Sequence, residues 1–304
     1  MTQLYKKLQE VCPELELREN EPLSQYTSFR IGGPVSLMAL PKTKKQAELV
    51  LRAAAELGID PFFLGRGSNL LVADEGLEGF ALKYVSTMET LRMESDGELE
   101  AGAGLSLAQI AFFAMERGLS GLEFAHGIPG SLGGAVFMNA GAYDGEMAQV
   151  VTEVCCLNKR GEEEVLSAEQ LDFSYRHSIF SDGSRLIVSV RLKLREGKKE
   201  DIQAKMAELM ERRRSKQPLE FPSAGSTFKR PAGHFAGTLI EQAGLKGASI
   251  GGAQVSEKHA GFVINTGNAT CDDVLRLMRS VRKIVQMDTG VLLEPEIRLI
   301  GCSL

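Results

Sequence analysis

Hydrophobic residues return every three or four positions along five stretches of the chain, and each stretch reads as an amphipathic helix. The first carries Leu4, Leu8 and Val11. The second, over 44–57, turns Ala47, Val50, Leu51 and Ala54 to one side, with Gly58 placed to end it. A third, over 107–117, has Ser106 as candidate N-cap and Gly118 as its stop. Ile202, Met206, Leu209 and Met210 mark the fourth. The fifth opens at Thr270, which with Asp273 forms a variant of the capping box, and runs through Val274, Leu277, Met278, Val281, Ile284 and Val285.

Shorter apolar runs read as strands. "VSLMAL" precedes the second helix, and "PFFLGRGSNLLVA" follows it as strand, glycine turn and strand, which suggests a βαβ unit. "TLRMESDGELEAG" reads as a hairpin turning at Asp96-Gly97. "VTEVCCL" and "EEEVL" flank a turn at 158–161, and "RLIVSVRLKLR" alternates as a half-buried strand does. The lysine-rich "REGKKED" at 195–201 reads as a linker, and "VLLEPEIRLIG" as a closing strand. Helices and strands in this mixture predict an α+β protein.

A length of 304 residues suggests two or three folding units. The formal charge is −5, and the longest basic block is Arg212-Arg213-Arg214, so the clustered cations of a nucleic-acid surface are missing. Cys12, Cys155, Cys156, Cys271 and Cys302 show no C-x-x-C spacing, and the four histidines are scattered, which argues against a disulfide framework and a metal site. The N-terminal segment lacks the apolar region of a signal peptide, and no stretch is long and apolar enough to span a bilayer. The expectation is a soluble cytoplasmic protein with no membrane partner.

Glycine changes the picture. Its 32 residues exceed the usual share of about 7%, and they cluster where backbone must turn sharply or approach a ligand. Gly65-Arg66-Gly67-Ser68-Asn69 has the N–H groups and polar side chains of an anion-binding nest, although a plain tight turn fits these residues equally. It matches neither the Rossmann fingerprint nor the P-loop. The stretch from Gly127 to Met147 holds five glycines before Asp144, almost no charge, and Asn139 in an apolar run. A backbone wrapped around a flat apolar ligand has this composition, and so does a tightly packed loop–helix junction. Arg176 in "DFSYRHSIF" suits either a structural ion pair or a clamp on a carboxylate. Glu294 and Glu296 share one face of the closing strand, solvated or, where buried, able to act as an acid. Ser226 in "SAGSTFKRP" is by itself a loop residue like many others.

Seven segments taken in order carry more than any one alone. "YTSFRIGGP", "LGRGSNLLVAD", "GIPGSLGGAVFMNAGAY", "SYRHSIF", "SAGSTFKRP", "AGFVINTGNAT" and "LEPEIRLIG" resemble the UDP-N-acetylenolpyruvoylglucosamine reductase family, from about residue 22 to the end of the chain. The shorter subclass is the better match, because the tyrosine-bearing insertion of the longer one is missing.

The resemblance implies an FAD-binding fold of the vanillyl-alcohol-oxidase type. Two lobes would hold the cofactor, one over 1–84 joined by a returning C-terminal strand at 289–304, the other over 85–196, with a substrate domain over 197–288. It implies non-covalent FAD reduced by NADPH, a UDP-sugar substrate, and reduction of an enolpyruvyl group in peptidoglycan precursor synthesis. Residues expected at FAD are Tyr26, Arg30, Gly65, Arg66, Gly67, Ser68 and Asn69. To these the second motif adds Gly127, Ile128, Pro129, Gly130, Ser131, Gly133, Gly134, Asn139, Ala140, Gly141 and Ala142. The family pattern gives the substrate carboxylate to Arg176, enolate stabilisation to Glu296 and proton delivery to Ser226, with Arg230 and Lys216 at the diphosphate. Glu296 can donate only when protonated, a form that burial favours. A sugar or lactone oxidase of the same fold, and a sugar-nucleotide-binding protein without redox activity, are the rival readings.

Overall fold

Side-chain hydroxyls open four of the helices, because the first N–H groups of a helix have no partner within it. The computed structural model describes residues 1–86, 90–95 and 97–304. Its helices are α1 (Thr2–Val11), α2 (Lys44–Glu56), α3 (Leu107–Glu116), α4 (Leu132–Phe137), α5 (Lys199–Lys216), α6 (Ala236–Gln242) and α7 (Cys271–Thr289). Thr43, Ser106, Ser131 and Thr270 accept from Gln46, Gln109, Gly134 and Asp273 N–H at 3.1, 3.2, 3.3 and 3.1 Å. Ser106–Gln109 and Thr270–Asp273 complete reciprocal capping boxes. The predicted apolar faces are the buried ones, except that Met210 and Ile284 are half-buried and Val11 is exposed at the end of α1.

The chain divides into two compact units, and it passes between them after residues 19, 36, 66, 78 and 213. In the first, an antiparallel sheet orders Glu163–Ser167, Val151–Asn158, Arg185–Lys193, Glu98–Gly102 and Leu91–Ser95. Its core gathers Leu99, Ile110, Leu132, Val136, Val154, Phe180, Val190 and Leu192 with Ile202 and Met206 of α5. A second core in the same unit joins Leu4 and Leu8 of α1 to Val50 and Leu51 of α2, Leu37, Phe80 and Leu82. Gly97 follows as φ +73°, the left-handed turn position its hairpin needs, while Asp96 lies outside the described residues.

The second unit builds its core from α6, α7 and the three-stranded sheet Ser249–Ile250, Ala253–Val255, Val263–Asn265. Phe29, Ile31 and Leu71, far earlier in sequence, belong to this core. Asp74 shows how the distant segments are joined. Its carboxylate accepts from the backbone N–H of Cys271 at 2.8 Å and of Asp272 at 3.2 Å, so it caps the N-terminus of α7.

Two sequence expectations change, and the partners of the two strands in "PFFLGRGSNLLVA", which the sequence left open, are now given. Pro61–Phe63 runs parallel to Leu77–Leu82, and Leu70–Val72 runs parallel to Arg298–Ile300. Leu70, Leu71 and Val72 are all buried, as a strand covered on both faces is, and such a run gives no alternation from which to read a partner. The predicted linker is structured: Arg195–Glu196 pairs with Leu119–Ser120, and α5 begins at Lys199. Glu200 and Asp201 fall in its first turn, where the helix dipole favours acids. The closing strand is short. Pro295, which has no N–H, makes an isolated bridge to Phe228, and the regular ladder begins at Arg298.

Asp74→Ala removes a charged cap from α7. The expected outcome is a loss of about 1–2 kcal/mol in urea unfolding of the second unit, with an unchanged midpoint as the result against it.

Candidate active site

In the first unit the glycine-rich motif starts as a loop stitched to its neighbours by backbone. Leu132 and Gly133 N–H each donate at 2.8 Å, to Leu105 and Ala103 carbonyls respectively. A Cβ on Gly133 would meet that of Ala103 at 3.0 Å, so the close approach favours glycine. Ser131 is buried, capping α4, whereas Pro129 and Gly134 are exposed and Gly127, Ile128, Ala140, Gly141 and Ala142 are partly so. Gly130 is buried, its N–H bound to the Ile128 carbonyl at 2.9 Å.

Asn139 has a left-handed φ of +41° and a side chain 1% exposed. Its amide nitrogen donates to the Ser174 carbonyl at 3.1 Å, and its oxygen accepts from Ala148 N–H at 2.9 Å. Ser178, fully buried, donates to the Phe137 carbonyl at 2.8 Å. These two contacts fix a tight turn in which Ser174 and His177 exchange backbone hydrogen bonds at 3.2 and 3.1 Å. Arg176 occupies the tip, at φ +56°, with Nη2 3.5 Å from the Gly141 carbonyl and its guanidinium 5.0 Å from the Tyr175 ring. A left-handed arginine is costly, and two buried polar ties hold it there. The structure thus joins Arg176 to the glycine-rich motif.

Gly65 and Arg66 also lie in this unit. A Cβ on Gly65 would come within 2.9 Å of Ser131 Oγ, so two separate motifs meet here. The Lys83 ammonium donates to the Gly65 carbonyl. Burial, and next the nearby Arg66 cation, lower its pKa to about 8.

Gly67, Ser68 and Asn69 continue into the second unit, with Tyr26 and Arg30. A Cβ on Gly67 would fall 2.0 Å from the Tyr26 carbonyl, and Ser28 N–H donates to the Gly67 carbonyl at 3.2 Å. Tyr26 donates its hydroxyl to Glu21 at 2.7 Å, while Arg30 is exposed at φ +57°. Ser28 Oγ donates to the Ser223 carbonyl at 2.6 Å, which ties this loop to the segment bearing Ser226.

Ser226 and Glu296 are brought together by backbone. Glu296 N–H donates to the Thr227 carbonyl at 2.9 Å, and Lys229 N–H donates to the Glu294 carbonyl at 2.8 Å. Asn69 Nδ2 donates to the Glu296 carbonyl at 3.1 Å, and the Asn69 carbonyl accepts from Arg298 N–H at 2.9 Å. Ser226 and Glu296 are both partly exposed. A Cβ at Gly225, φ +78°, would meet nothing within 4 Å, so space opens beside the serine. Arg230 is exposed, its guanidinium 4.0 Å from the Phe235 ring, and Lys216 is exposed at the end of α5.

Several supports were not singled out in the sequence. Buried Thr227 accepts from Val263 N–H at 2.9 Å, and Asn265 donates to the Phe29 carbonyl at 3.1 Å while accepting from Gly267 and Ala269. Asn265 sits in a quoted motif, but nothing in its local spacing reveals a partner 236 positions away.

Residues 217–300 match the family model for the C-terminal domain of UDP-N-acetylenolpyruvoylglucosamine reductase, and residues 35–167 match an FAD binding domain. A reductase of that name from Caldanaerobacter subterraneus subsp. tengcongensis is 47% identical over 298 residues, 98% of each chain. The chain belongs to the UDP-N-acetylenolpyruvoylglucosamine reductase family. The corresponding enzyme of Syntrophomonas wolfei is 44% identical over 298 residues, covering 98% of this chain and 99% of that one. The crystal structure of UDP-N-acetylenolpyruvylglucosamine reductase from Thermus caldophilus superposes with a TM-score of 0.81 at 36% identity, covering 95% of this chain and 99% of its own. As a member of this reductase family the chain is an α+β, FAD-dependent oxidoreductase, which removes the oxidase and non-redox alternatives. Among the described residues, no helix is long and apolar enough to cross a membrane.

Lys83 gives this reductase a pH signature. Its folded pKa of about 8 lies below the usual 10.5, so the unfolded chain binds more protons between those values. The cost of burying the ammonium is therefore complete below pH 8 and is relieved as pH rises toward 10.5. Urea unfolding of the apoprotein should show stability rising over that window relative to Lys83→Met. Parallel pH profiles for the two proteins would contradict the assignment.

Proposed function

We infer that the reaction of this chain is carried by Arg176, Ser226 and Glu296. That reaction is reduction by NADPH of the enolpyruvyl group of UDP-N-acetylglucosamine enolpyruvate to the lactyl ether of UDP-N-acetylmuramate, in peptidoglycan synthesis. The observation that carries this reading is the hydrogen bond from Glu296 N–H to the Thr227 carbonyl, which brings the backbone bearing the acid against the segment bearing the serine.

FAD, held by the residues named below, would supply the hydride chemistry that links NADPH to the enolpyruvyl double bond. The protein's tasks follow from the charge that then develops on the substrate. The Arg176 guanidinium holds the carboxylate through paired N–H donors. Glu296, when protonated, donates to the enolate oxygen, and the Ser226 hydroxyl gives a proton to carbon. Arg230 and Lys216 meet the diphosphate of the substrate.

The FAD contacts of this reading are Tyr26, Arg30, 65–69, 127–131, Gly133, Gly134 and 139–142. Support comes from glycines that exclude a Cβ at Gly65 and Gly67, and from the cations of Arg66 and Lys83 at that loop, which suit a diphosphate. Asn139 serves by shaping its loop, since its side chain binds protein backbone. Residues 1–84 with 289–304, and 85–196, form the FAD lobes in this reading, and 197–288 the substrate domain. A cytoplasmic location, with no nucleic-acid or membrane partner, fits the net charge of −5 and the nucleotide substrates.

The test is a two-step anaerobic absorbance experiment near 450 nm on FAD-loaded protein. In Ser226→Ala, bleaching by NADPH should keep its wild-type rate while recolouring by the enolpyruvyl substrate slows by about 10²–10⁴-fold. Equal rates in both steps would remove Ser226 from the mechanism. Arg176→Lys should raise the substrate concentration needed for recolouring without changing the bleaching step. FAD affinity for the apoprotein should weaken above pH 8, by up to about tenfold per pH unit, and Lys83→Met should abolish that slope.

A further inference from the structure

Two thiols with no part in the reduction lie in contact at the edge of the second unit. Cys271 is the first residue of α7, and Cys302 follows the strand Arg298–Ile300. Cys302 packs against the apolar cluster that contains Cys271, and its Sγ lies 3.8 Å from the Leu71 carbonyl. Backbone contacts independent of either sulfur hold them so. Ile300 pairs with Val72, Ala73 N–H donates to the Ile300 carbonyl at 2.9 Å, and Cys271 N–H donates to Asp74 at 2.8 Å. Cys271 is 2% exposed, whereas Cys302 is partly open to solvent.

We propose that Cys271 and Cys302 form a disulfide when the protein meets a low-molecular-weight disulfide, tying the C-terminal strand to the first turn of α7. The Cys302 thiolate attacks one sulfur of the small disulfide; that S–S bond breaks, one small thiolate leaves, and a mixed disulfide stands on Cys302. Cys271 then gives up its proton to the departed thiolate and attacks the Cys302 sulfur, expelling the second small thiolate, which takes a proton from water. The two protein thiols are oxidised by two electrons, and the small disulfide is reduced to two thiols.

Electrostatics single out the attacking sulfur. Hydrogen bonding from Cys271 lowers the Cys302 pKa, against burial and the nearby acids Asp74 and Glu75. Burial pushes Cys155 and Cys156 up to about 12, with the Glu163 and Glu164 carboxylates adding to it, and burial also raises Cys12. Sequence spacing cannot reveal the pair, because the pairing of Arg298–Ile300 with Leu70–Val72 is what brings the two cysteines together.

The FAD-loaded enzyme is incubated with oxidised glutathione, the unreacted thiols are alkylated, and intact mass and non-reduced peptide maps are recorded. The expected result is loss of two hydrogens and a peptide joining Cys271 to Cys302. Cys271→Ser should instead stop at a glutathione adduct on Cys302, and Cys302→Ser should show neither product. The linked wild type should melt roughly 5 °C above its reduced form, because the bond closes a loop in the unfolded chain. Both thiols remaining free, a glutathione adduct on wild-type Cys302 that never resolves, a link to another cysteine, or a lowered melting temperature would each overturn the proposal.

Discussion

The return of the C-terminal strand to Leu70–Val72 is the constraint on which the second unit rests. Those three residues are buried, so their backbone groups need partners from protein rather than water. The strand that supplies them carries Glu296 two residues before its first ladder position. On one side Asn69 binds the Glu296 carbonyl, and on the other the Thr227 carbonyl receives its N–H. An ordinary requirement of sheet formation therefore sets the spacing between an acid and a serine. Neither side chain has to find the other.

The first unit solves a similar problem with buried polar side chains. Arg176 stands at a left-handed turn that its side chain does not favour, and Asn139 and Ser178 hold that turn from beneath. Both ties run to carbonyls in regions with no regular ladder, where an unpaired group would be costly. The same contacts that satisfy the backbone fix the position of a cation. Precision at the tip comes from accounting for hydrogen bonds at the base.

Much of this was legible in the sequence, and the limits have physical causes. Helices α2, α3 and α7 announce themselves because period, cap and terminal glycine agree, and Ser106 and Thr270 form the boxes their spacing predicts. The antiparallel hairpins are equally readable, since their partners are neighbours in the chain. The parallel pairings of Pro61–Phe63 and Leu70–Val72 are not, because strands of three residues show no alternation and their partners are not their neighbours in the chain. The candidate site divides along the same line. Gly65, Gly67, Arg176, Ser226 and Glu296 stand in ordered motifs, whereas Thr227, Asn265, Asp74 and Lys83 act through partners that only the fold brings near.

Residues 20–36, 67–78 and 214–304 share the second unit, and this interleaving has a consequence for how the protein is made. Synthesis delivers the chain from the N-terminus, so Phe29, Ile31 and Leu71 emerge well before the helix and strand that cover them. The first unit can assemble once residue 213 has left the ribosome, but the second waits for the last strand. During that interval an apolar segment and an unpaired strand stand exposed, a state that invites chaperone binding and penalises any truncation of the C-terminus.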